Sequence, residues 1–546
     1  MSFIRQLLSV SLPLLAAAAA PRPHIVMNLI DDWGHANWAL QRLRNGLAPS
    51  NEWVTPTLDQ LAKDGITLDR FYVHKYCSPS RSSLQTGRLP VHVNVINSDL
   101  FQRNTADPEG GAQGCPRNMT GLGEVMKRGG YATHFSGKWN AGSATFDRLP
   151  VGRGYDTSLF YAGYRNDEWT MVDGTCPLNA TTNVTMDVVD LWDGNGPARG
   201  LNNSANCSQA NQAGGCVYED DLFLRRVLDT IEAHDASQPL FLVWATHGIH
   251  TPYEVPQRYL DRFAFIPQAQ RRFYAAMVSH VDDMVGNVTN ALKAKGMWSN
   301  TLWLTASDNG GPVTALTGAN NFPLRGGKLT NWEAGIRANA FASGGFIPPA
   351  LRGSVNDGLL AIADLYTTFA SLAGVDATDA RAAAAGLPPV DGLDVSGLFT
   401  GANSSSPRLE LPVGVAYSAD GDDDPPAGPT YVQALIRADG FKLILGQVGG
   451  GFFQGPDFPN ASGWPTVPPA DCGNLTLGTG GCLFNVRSDP HELADVAGAF
   501  PAVAAEMRSR IAELQRSVYS PDRGGDDPAA CAAAVSRWGG FVGPFF

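Results

Sequence analysis

Short apolar runs recur along the chain and are separated by longer stretches with helical periodicity. Four of these runs are apolar on both faces: HIVMNLI (24–30), YATHFSG (131–137), PLFLVWAT (239–246) and NTLWLTAS (300–307). A short run that is apolar at consecutive positions is typical of a strand buried on both sides of a parallel sheet. The pattern therefore predicts an α/β protein in which helices cover a mostly parallel sheet.

Two segments have a clear helical period, EDDLFLRRVLDTIEAH (219–234) and residues 271–296, and we interpret both as core-packing helices. Further along, YVQALIRADGFKLILGQ (431–447) has the pattern of a hairpin that turns at Asp439-Gly440. We predict a large mixed, mostly parallel sheet flanked by helices in residues 21–410. A smaller C-terminal domain with an antiparallel sheet is predicted for residues 411–546.

Polar residues follow three of the four apolar runs directly. Asp31-Asp32 follow the first run, His247 and His250 the third, and Asp308-Asn309 the fourth. In open parallel sheets, ligands bind in the crevice at the carboxyl ends of the strands. We therefore expect these three loops to converge on one site.

The first 20 residues have the composition of a secretory signal peptide, with one arginine followed by an apolar run that ends in small residues. No later stretch of the sequence is long and apolar enough to predict a membrane span. A secreted chain should be glycosylated, and nine Asn-x-Ser/Thr sequons are present, at Asn118, Asn179, Asn183, Asn202, Asn206, Asn287, Asn403, Asn460 and Asn474. We expect a protein of the secretory pathway, extracellular or in a compartment such as the lysosome or vacuole.

The formal net charge of −12 argues against a basic nucleic-acid-binding surface. An anionic substrate would need a local positive pocket. Two segments invite other interpretations: residues 418–429 are read as a solvated acidic loop without the spacing of an EF-hand, and residues 449–469 as either a substrate-pocket rim or a surface loop.

Eight cysteines in an oxidising compartment should mostly pair. Spacing does not determine connectivity, but Cys472–Cys482 is the easiest local bridge and Cys207–Cys216 is another candidate. A bridge from Cys115 to Cys531 would tie two distant parts of the chain together.

Cys77 stands apart because it opens the string CSPSRSSLQTGR (77–88). Seven fixed positions of C-x-P-S-R-x-x-x-x-T-G-R have odds of chance occurrence on the order of one in a million at average residue usage. The string resembles the signature of the sulfatase family, whose cysteine is oxidised to formylglycine by a formylglycine-generating enzyme. The resemblance implies an alkaline-phosphatase-like fold, and removing Cys77 from the disulfide pool leaves one cysteine unpaired, for which Cys176 is our candidate.

The resemblance further implies a mechanism and a ligand set. A hydrated formylglycine has one oxygen to attack a sulfate ester and a second whose collapse to the aldehyde expels sulfate. Oxygen donors suit calcium or magnesium, and the family assigns Asp31, Asp32, Asp308 and Asn309, with residue 77, to one calcium ion. The family roles of the remaining residues fall on Arg81, which supports residue 77, on Lys138 and Lys328, which bind sulfate oxygens, and on His250, which assists the leaving group.

The implied substrate is a sulfate ester, either an aryl sulfate in vitro or a sulfated sugar, since several stretches between residues 24 and 496 resemble the arylsulfatase B branch. One position departs from the family pattern. The family usually has Gly-Lys-Trp-His where this chain has Asn140, and asparagine cannot act as a base at neutral pH. His247 or solvent hydroxide are two possible substitutes. Because of this departure, a non-catalytic protein that binds sulfated glycans remains an alternative function. A phosphate or phosphonate monoester hydrolase is a second alternative, because such enzymes share the same scaffold.

Overall fold

The apolar run 24–30 forms the strand His24–Ile30, which lies near the centre of a ten-stranded sheet. The structure is a computed structural model that describes residues 22–97, 100–178, 184–313, 317–416, 428–451, 455 and 470–546. The sheet contains, in spatial order, the strands Gly196–Pro197, Trp192–Asp193, Thr157–Tyr161, Ala132–Lys138, Leu240–Ala245, His24–Ile30, Thr301–Ser307, Ala340–Ser343, Ile66–Leu68 and Ser354–Asn356.

The five central strands run parallel to one another, from Thr157–Tyr161 to Thr301–Ser307. Successive side chains of His24–Ile30 alternate between two hydrophobic cores: Met27 packs in one and Val26 in the other. Both faces of the sheet are therefore buried, as the continuous apolar runs predicted. The mostly parallel α/β architecture is confirmed.

Helices cover both faces of this sheet. The described residues include the helices Ala39–Arg44, Pro56–Lys63, Cys77–Thr86, Leu122–Arg128, Glu219–Ala233, Gln257–Arg262, Ala269–Ala294, Glu333–Ile336, Asp364–Leu372, Ala380–Ala384, Ser396–Thr400, Pro501–Leu514 and Pro528–Ser536. Glu219–Ala233 and Ala269–Ala294 pack in the core that contains Val26, and Leu84 of Cys77–Thr86 packs in the opposite core. Both helices predicted from periodicity are present.

A second sheet lies in the C-terminal part of the chain. Its four antiparallel strands are Glu410–Ala416, Thr430–Arg437, Phe441–Ile444 and Cys482–Asn485. The middle two strands form the hairpin predicted to turn at Asp439-Gly440. The smaller antiparallel sheet is confirmed, whereas the division of the chain near residue 410 stays a prediction.

Two of the three disulfide expectations agree with the structure. Cys472–Cys482 and Cys207–Cys216 are bonded, but Cys531 pairs with Cys176 and Cys115 is a free, buried thiol. The Cys115–Cys531 bridge and the unpaired Cys176 were wrong. The reason is spatial: Cys115 lies against the helix Cys77–Thr86, with its Sγ 3.8 Å from the carbonyl oxygen of Ser82, while Cys176 lies on the strand Val172–Pro177 in contact with Pro528–Ser536.

Among the described residues, no helix has both the length and the apolar character that a membrane crossing requires. The predicted signal peptide lies outside the described residues, as do most of residues 418–429 and most of residues 449–469.

Candidate active site

The carboxyl ends of neighbouring strands bring the predicted polar residues together. Ile30 pairs with Ser307, Leu29 with Ala245, and Ala245 with Gly137. The residues that follow each strand therefore leave the sheet side by side. These are Asp31-Asp32, Thr246-His247, Asp308-Asn309 and, at the end of its strand, Lys138.

The signature string forms the helix Cys77–Thr86, all ten residues of which are buried. Cys77 is its first residue. Gly87 ends the helix with φ 71°, a left-handed conformation that favours glycine, and a Cβ there would meet the Tyr366 ring at 2.6 Å. Arg88 pairs with Asp379 at 2.9 Å, so the end of the signature anchors the helix that carries Cys77.

Cys77 lies directly beside the aspartate pair. Its Sγ is 3.5 Å from Oδ1 of Asp31. Ligand atoms of Asp31, Asp32, Cys77 and His250 all lie within 4.8 Å of one another, and all four residues are buried. Asp308 joins this group through its Oδ1, which accepts a hydrogen bond from the backbone N–H of Asp32 at 3.3 Å.

Three cationic side chains contact these carboxylates. Arg81 donates to Asp308 Oδ2 from Nε at 2.9 Å and from Nη2 at 2.8 Å. The Nζ of Lys138 makes a close ion pair with Asp31, and the Nζ of Lys328 lies 2.7 Å from Asp32 Oδ1. The site therefore holds three acidic and three basic side chains in a buried space. Their formal charges balance, so the site does not share the net negative charge of the whole chain.

The neighbouring charges set the ionisation of the site. Burial raises the pKa of Asp31, but Lys138, His250 and Arg81 together hold it well below its usual range. Burial raises the pKa of Asp32 to about 6, with Lys328 opposing the rise and Asp31 contributing to it. Burial, followed by the charges of Asp308 and Asp31, raises the pKa of the Cys77 thiol, so the unmodified thiol is uncharged at neutral pH.

The residues fit a hard divalent cation. Asn309 donates from Nδ2 to Asp32 Oδ1 at 2.7 Å, and this hydrogen bond fixes the orientation of its side-chain amide. Its Oδ1 is buried and has no hydrogen-bond partner within the described part of the chain. A buried carbonyl oxygen beside three carboxylates is a donor of the type that calcium or magnesium prefers.

His250 and His247 lie on the same loop but have different partners. His250 Nε2 is 3.8 Å from Asp32 Oδ2, and its Nδ1 lies 2.5 Å from the carbonyl oxygen of Thr251. His247 Nδ1 is 2.7 Å from Glu219 Oε2, and its Nε2 is buried without a partner among the described residues. Burial lowers the pKa of both imidazoles, that of His247 to about 3.

Sequence reasoning missed two acidic residues that support this loop. Asp220 accepts the backbone N–H groups of His247 at 2.9 Å and Gly248 at 2.8 Å, and Glu219 holds the His247 ring. Both were interpreted as part of a core-packing helix. Acidic residues in a first helical turn are common for electrostatic reasons alone, so only their complete burial distinguishes them.

Asn140 follows Lys138 by two residues and is fully buried, with φ 44°. Neither Oδ1 nor Nδ2 has a hydrogen-bond partner within the residues that the structure describes. A buried, unpaired amide is costly unless something else occupies its bonding positions. The side chain is thus available to a group that the protein itself does not provide.

The sequence model of the sulfatase family matches residues 23–375. The chain belongs to the sulfatase family. Mouse arylsulfatase J is 30% identical over 558 aligned residues, which cover 96% of this chain and 82% of that protein. Mouse N-acetylgalactosamine-6-sulfatase is 32% identical over 390 residues, or 70% of this chain and 68% of its own. The crystal structure of Ps i-CgsB in complex with k-i-k-neocarrahexaose has a TM-score of 0.68 at 22% identity and covers 95% of this sulfatase and 98% of its own chain.

Membership of the family confirms the resemblance that was based on the signature string. It also makes the chain a sulfuric ester hydrolase, the predicted enzyme class. The fold agrees, because the crystal structure of the PsFucS1 sulfatase from Pseudoalteromonas sp. covers 92% of the chain with a TM-score of 0.63 at 23% identity.

Proposed function

We propose that this sulfatase hydrolyses sulfate esters with a formylglycine derived from Cys77 and one calcium ion. The observation that carries the proposal is the position of Cys77: its Sγ lies 3.5 Å from Asp31 Oδ1, inside a buried group of acidic and basic side chains. An oxygen nucleophile at this position would lie beside a divalent cation and near the side chains of Lys138 and Lys328. Formylglycine would supply a hydrated carbonyl whose oxygen attacks the sulfur.

The calcium ion would be held by Asp31, Asp32, Asp308 and Asn309, with residue 77 beside them. Three carboxylates and one amide oxygen match the oxygen-only ligand sets of calcium. The ion would polarise an ester oxygen as a Lewis acid. Arg81, through its two bonds to Asp308, fixes the orientation of that carboxylate.

The sulfate group would be bound by Lys138, Lys328 and His250. The formal charges of the three acidic and three basic side chains sum to zero, and a divalent ion brings the total to +2. That surplus suits a sulfate ester. His250 Nδ1 donates to the Thr251 carbonyl oxygen, so in the neutral imidazole Nε2 faces the site as a hydrogen-bond acceptor.

Asn140 can orient a hydroxyl by hydrogen bonding but cannot take its proton at neutral pH. We therefore expect the release of sulfate, rather than the cleavage of the ester, to limit turnover. His247 is a possible substitute, since its Nε2 is free among the described residues and Glu219 holds its Nδ1. A burst of released alcohol followed by slow steady turnover in a stopped-flow assay would support this expectation.

We infer that the natural substrate is a sulfated sugar and that the protein matures in the secretory pathway. Two relatives support the first inference, one named for N-acetylgalactosamine 6-sulfate chemistry and one solved with an oligosaccharide. The three disulfides support the second, because such bonds persist in oxidising compartments. Maturation there would bring the chain to a formylglycine-generating enzyme.

The test pairs the two free cysteines. Cys77→Ala and Cys115→Ala each remove a buried thiol, but only Cys77 lies at the site. We expect mass spectrometry of the peptide that contains residue 77 to find an aldehyde or its hydrate. We also expect Cys77→Ala to abolish hydrolysis of 4-methylumbelliferyl sulfate, and Cys115→Ala to leave it within a few fold.

An unmodified thiol at residue 77 in active secreted protein would contradict the proposal. Sulfate binding without any hydrolysis would favour a binding protein. Faster hydrolysis of the matched aryl phosphate or phosphonate ester would favour a phosphate or phosphonate monoester hydrolase.

A further inference from the structure

A buried ion-pair junction joins the C-terminal sheet to the loops of the active site. Lys442, in the strand Phe441–Ile444, is fully buried, and its Nζ lies 3.1 Å from Glu333 Oε1 and 2.8 Å from Glu492 Oε1. Both carboxylates are also fully buried. One ammonium group therefore bridges two acidic side chains that come from widely separated parts of the chain.

The junction fixes the start of one short helix. Glu333 is the first residue of Glu333–Ile336. Its backbone N–H donates to Glu492 Oε2 at 2.7 Å, and its Oε2 accepts a hydrogen bond from the Tyr72 hydroxyl at 2.8 Å. Arg337 Nη1 lies 3.8 Å from the same Oε2. Glu333 is thus held through its backbone and through both carboxylate oxygens.

This helix touches the two loops that supply site residues. Gly310, next to Asn309, donates its N–H to the carbonyl oxygen of Gly335 at 3.0 Å. A Cβ on Gly310 would lie 1.6 Å from the carbonyl oxygen of Ala334, so loop and helix are in direct backbone contact. The N–H of Lys328 in turn donates to the carbonyl oxygen of Gly311 at 3.1 Å.

The loop that precedes the helix is tied to it as well. Ala334 donates its N–H to the carbonyl oxygen of Arg325 at 3.0 Å, and Nη1 of Arg325 donates to the carbonyl oxygen of Glu492 at 2.9 Å. Residues 308–311 and 325–330 therefore share one support. A displacement of the helix would move an oxygen donor and a lysine of the site together.

We propose that Lys442 and Glu492 are positioning residues for the active site, which they serve by fixing the helix Glu333–Ile336 and through it Asn309 and Lys328. Neither residue touches the site itself. Removing Lys442 leaves two buried carboxylates facing each other without their shared cation, an arrangement that is strongly unfavourable. The ligand that Asn309 and Lys328 bind rests on the proposed function. The dependence of their positions on Lys442 and Glu492 does not.

The experiment compares Lys442→Met, Glu492→Gln and the double variant with Arg510→Met. Arg510 is a matched control because it is also a cation bound to two glutamates, Glu410 and Glu513, but on the half-exposed surface of the C-terminal region. Amide hydrogen exchange is measured by mass spectrometry on the folded full-length proteins. The affinity for inorganic sulfate is measured in the presence of calcium.

We expect Lys442→Met to increase exchange in residues 308–311 and 325–336, while residues 77–86 exchange as in the wild type. Sulfate affinity should fall roughly 10- to 100-fold, as when a residue that orients a ligand-binding side chain is removed. The double variant should recover part of this loss because it removes one of the two unpaired carboxylates. Arg510→Met should change neither measurement.

A uniform increase in exchange over the whole chain would overturn the proposal, since it would mean that the junction stabilises the fold without favouring the site. Unchanged exchange in both loops would overturn it as well. Should Lys442→Met fail to fold, Glu492→Gln decides by the same two measurements, because it keeps the side-chain shape. Hydrogen exchange tests the positioning role of Lys442 and Glu492 even if the wild type neither binds sulfate nor hydrolyses sulfate esters. Such a wild type would count against the proposed function alone.

Discussion

Two groups of carboxylates in this protein differ in the charged side chains that surround them. The cation-rich cluster comprises Asp31, Asp32 and Asp308 with Arg81, Lys138 and Lys328. The acid cluster comprises the buried Glu168, Glu219 and Asp220 and the partly buried Glu254, and no lysine or arginine forms an ion pair with any of the four within the residues that the structure describes. One group is paired with cations, and the other is packed with further acids.

The acid cluster has few partners to stabilise negative charge. Glu168 is fully buried, and neither of its carboxylate oxygens has a hydrogen-bond partner in the described part of the chain. Burial raises its pKa well above the usual range, and the charges of Asp220, Glu254 and Glu219 add to the rise. Burial likewise raises the pKa of Glu254 to about 7 and that of Asp220 to about 6.

The difference shows that neighbours, and not residue type, decide whether a buried acid can serve as a metal ligand. In the cation-rich cluster, Lys138, His250 and Arg81 outweigh burial and keep Asp31 ionised. In the acid cluster, burial and like charges favour the protonated form. Asp31 therefore offers anionic oxygens to a cation at neutral pH, and it lies in the group that contains Cys77.

The largest effect should come from disabling the cation-rich cluster. Asp31→Asn removes one anionic oxygen donor and leaves Lys138 with a neutral partner, and chelation would remove the calcium ion of the proposed function. We expect each treatment to lower kcat/KM for an aryl sulfate by ~10³-fold or more, since Lewis-acid stabilisation is worth several kcal/mol. Steady-state kinetics with calcium added back provides the measurement.

The conservative change Asp220→Asn serves as the comparison, because it neutralises an aspartate of the acid cluster that we expect to be largely protonated already at acidic pH. At pH 5 we expect it to cost less than tenfold. An equal loss in both variants would mean that the two clusters do not differ in the way described.

The sequence allowed the cation-rich cluster to be predicted, but not the acid cluster. Asp31-Asp32 and Asp308-Asn309 follow apolar runs directly, and a strand end is a local feature that residue pattern reveals. Glu219 and Asp220 begin a helix, where acids are expected for the helix dipole, so nothing local marks them as buried. The prediction that Cys531 pairs with Cys115 rather than Cys176 was wrong for the same reason. The spacing of cysteines along the sequence does not reveal which of them are neighbours in the fold.

A smaller effect is expected from restoring a proton acceptor to the cation-rich cluster. Asn140 is fully buried and cannot accept a proton near pH 7, whereas an imidazole can. We expect Asn140→His to raise steady turnover of an aryl sulfate by ~10²-fold, the lower end of the usual contribution of a general base. The burst that precedes steady turnover should shrink in the same stopped-flow traces.

Asn140→Gln is the control, since it changes size without adding a base. Should it accelerate turnover as much as histidine does, proton transfer at this position would not be the limiting factor.

The acid cluster should reveal itself through stability rather than rate. A carboxyl group whose folded pKa is raised binds its proton more tightly in the folded state than in the unfolded state. Its contribution is therefore fully present below the unfolded pKa of ~4.3 and is lost as the pH rises through the folded pKa. For Glu254 this window runs up to about 7, and for Glu168 the pKa is also raised well above the usual range.

We therefore expect the wild type to lose stability relative to Glu168→Gln as the pH rises from 5 to 8 in saturating calcium. The difference between the two melting curves should correspond to about 1–3 kcal/mol of unfolding free energy, as for a buried polar group without a partner. Glu232→Gln changes an exposed glutamate on the helix Glu219–Ala233, removes the same charge and serves as the control. Parallel slopes for the wild type and Glu168→Gln would remove Glu168 as the source.

The smallest effect is expected where an acid is paired but not buried. Asp193 accepts two hydrogen bonds from Arg226, at 3.0 and 2.6 Å, and its side chain is 44% exposed. Solvent screens this pair, so Asp193→Asn should cost about 0.2–1 kcal/mol in chemical denaturation. If Asp193→Asn lost as much unfolding free energy as a change at a buried carboxylate, ion pairing would contribute more to stability than burial does. The contrast between the two buried clusters would then need a cause other than the desolvation of their carboxylates.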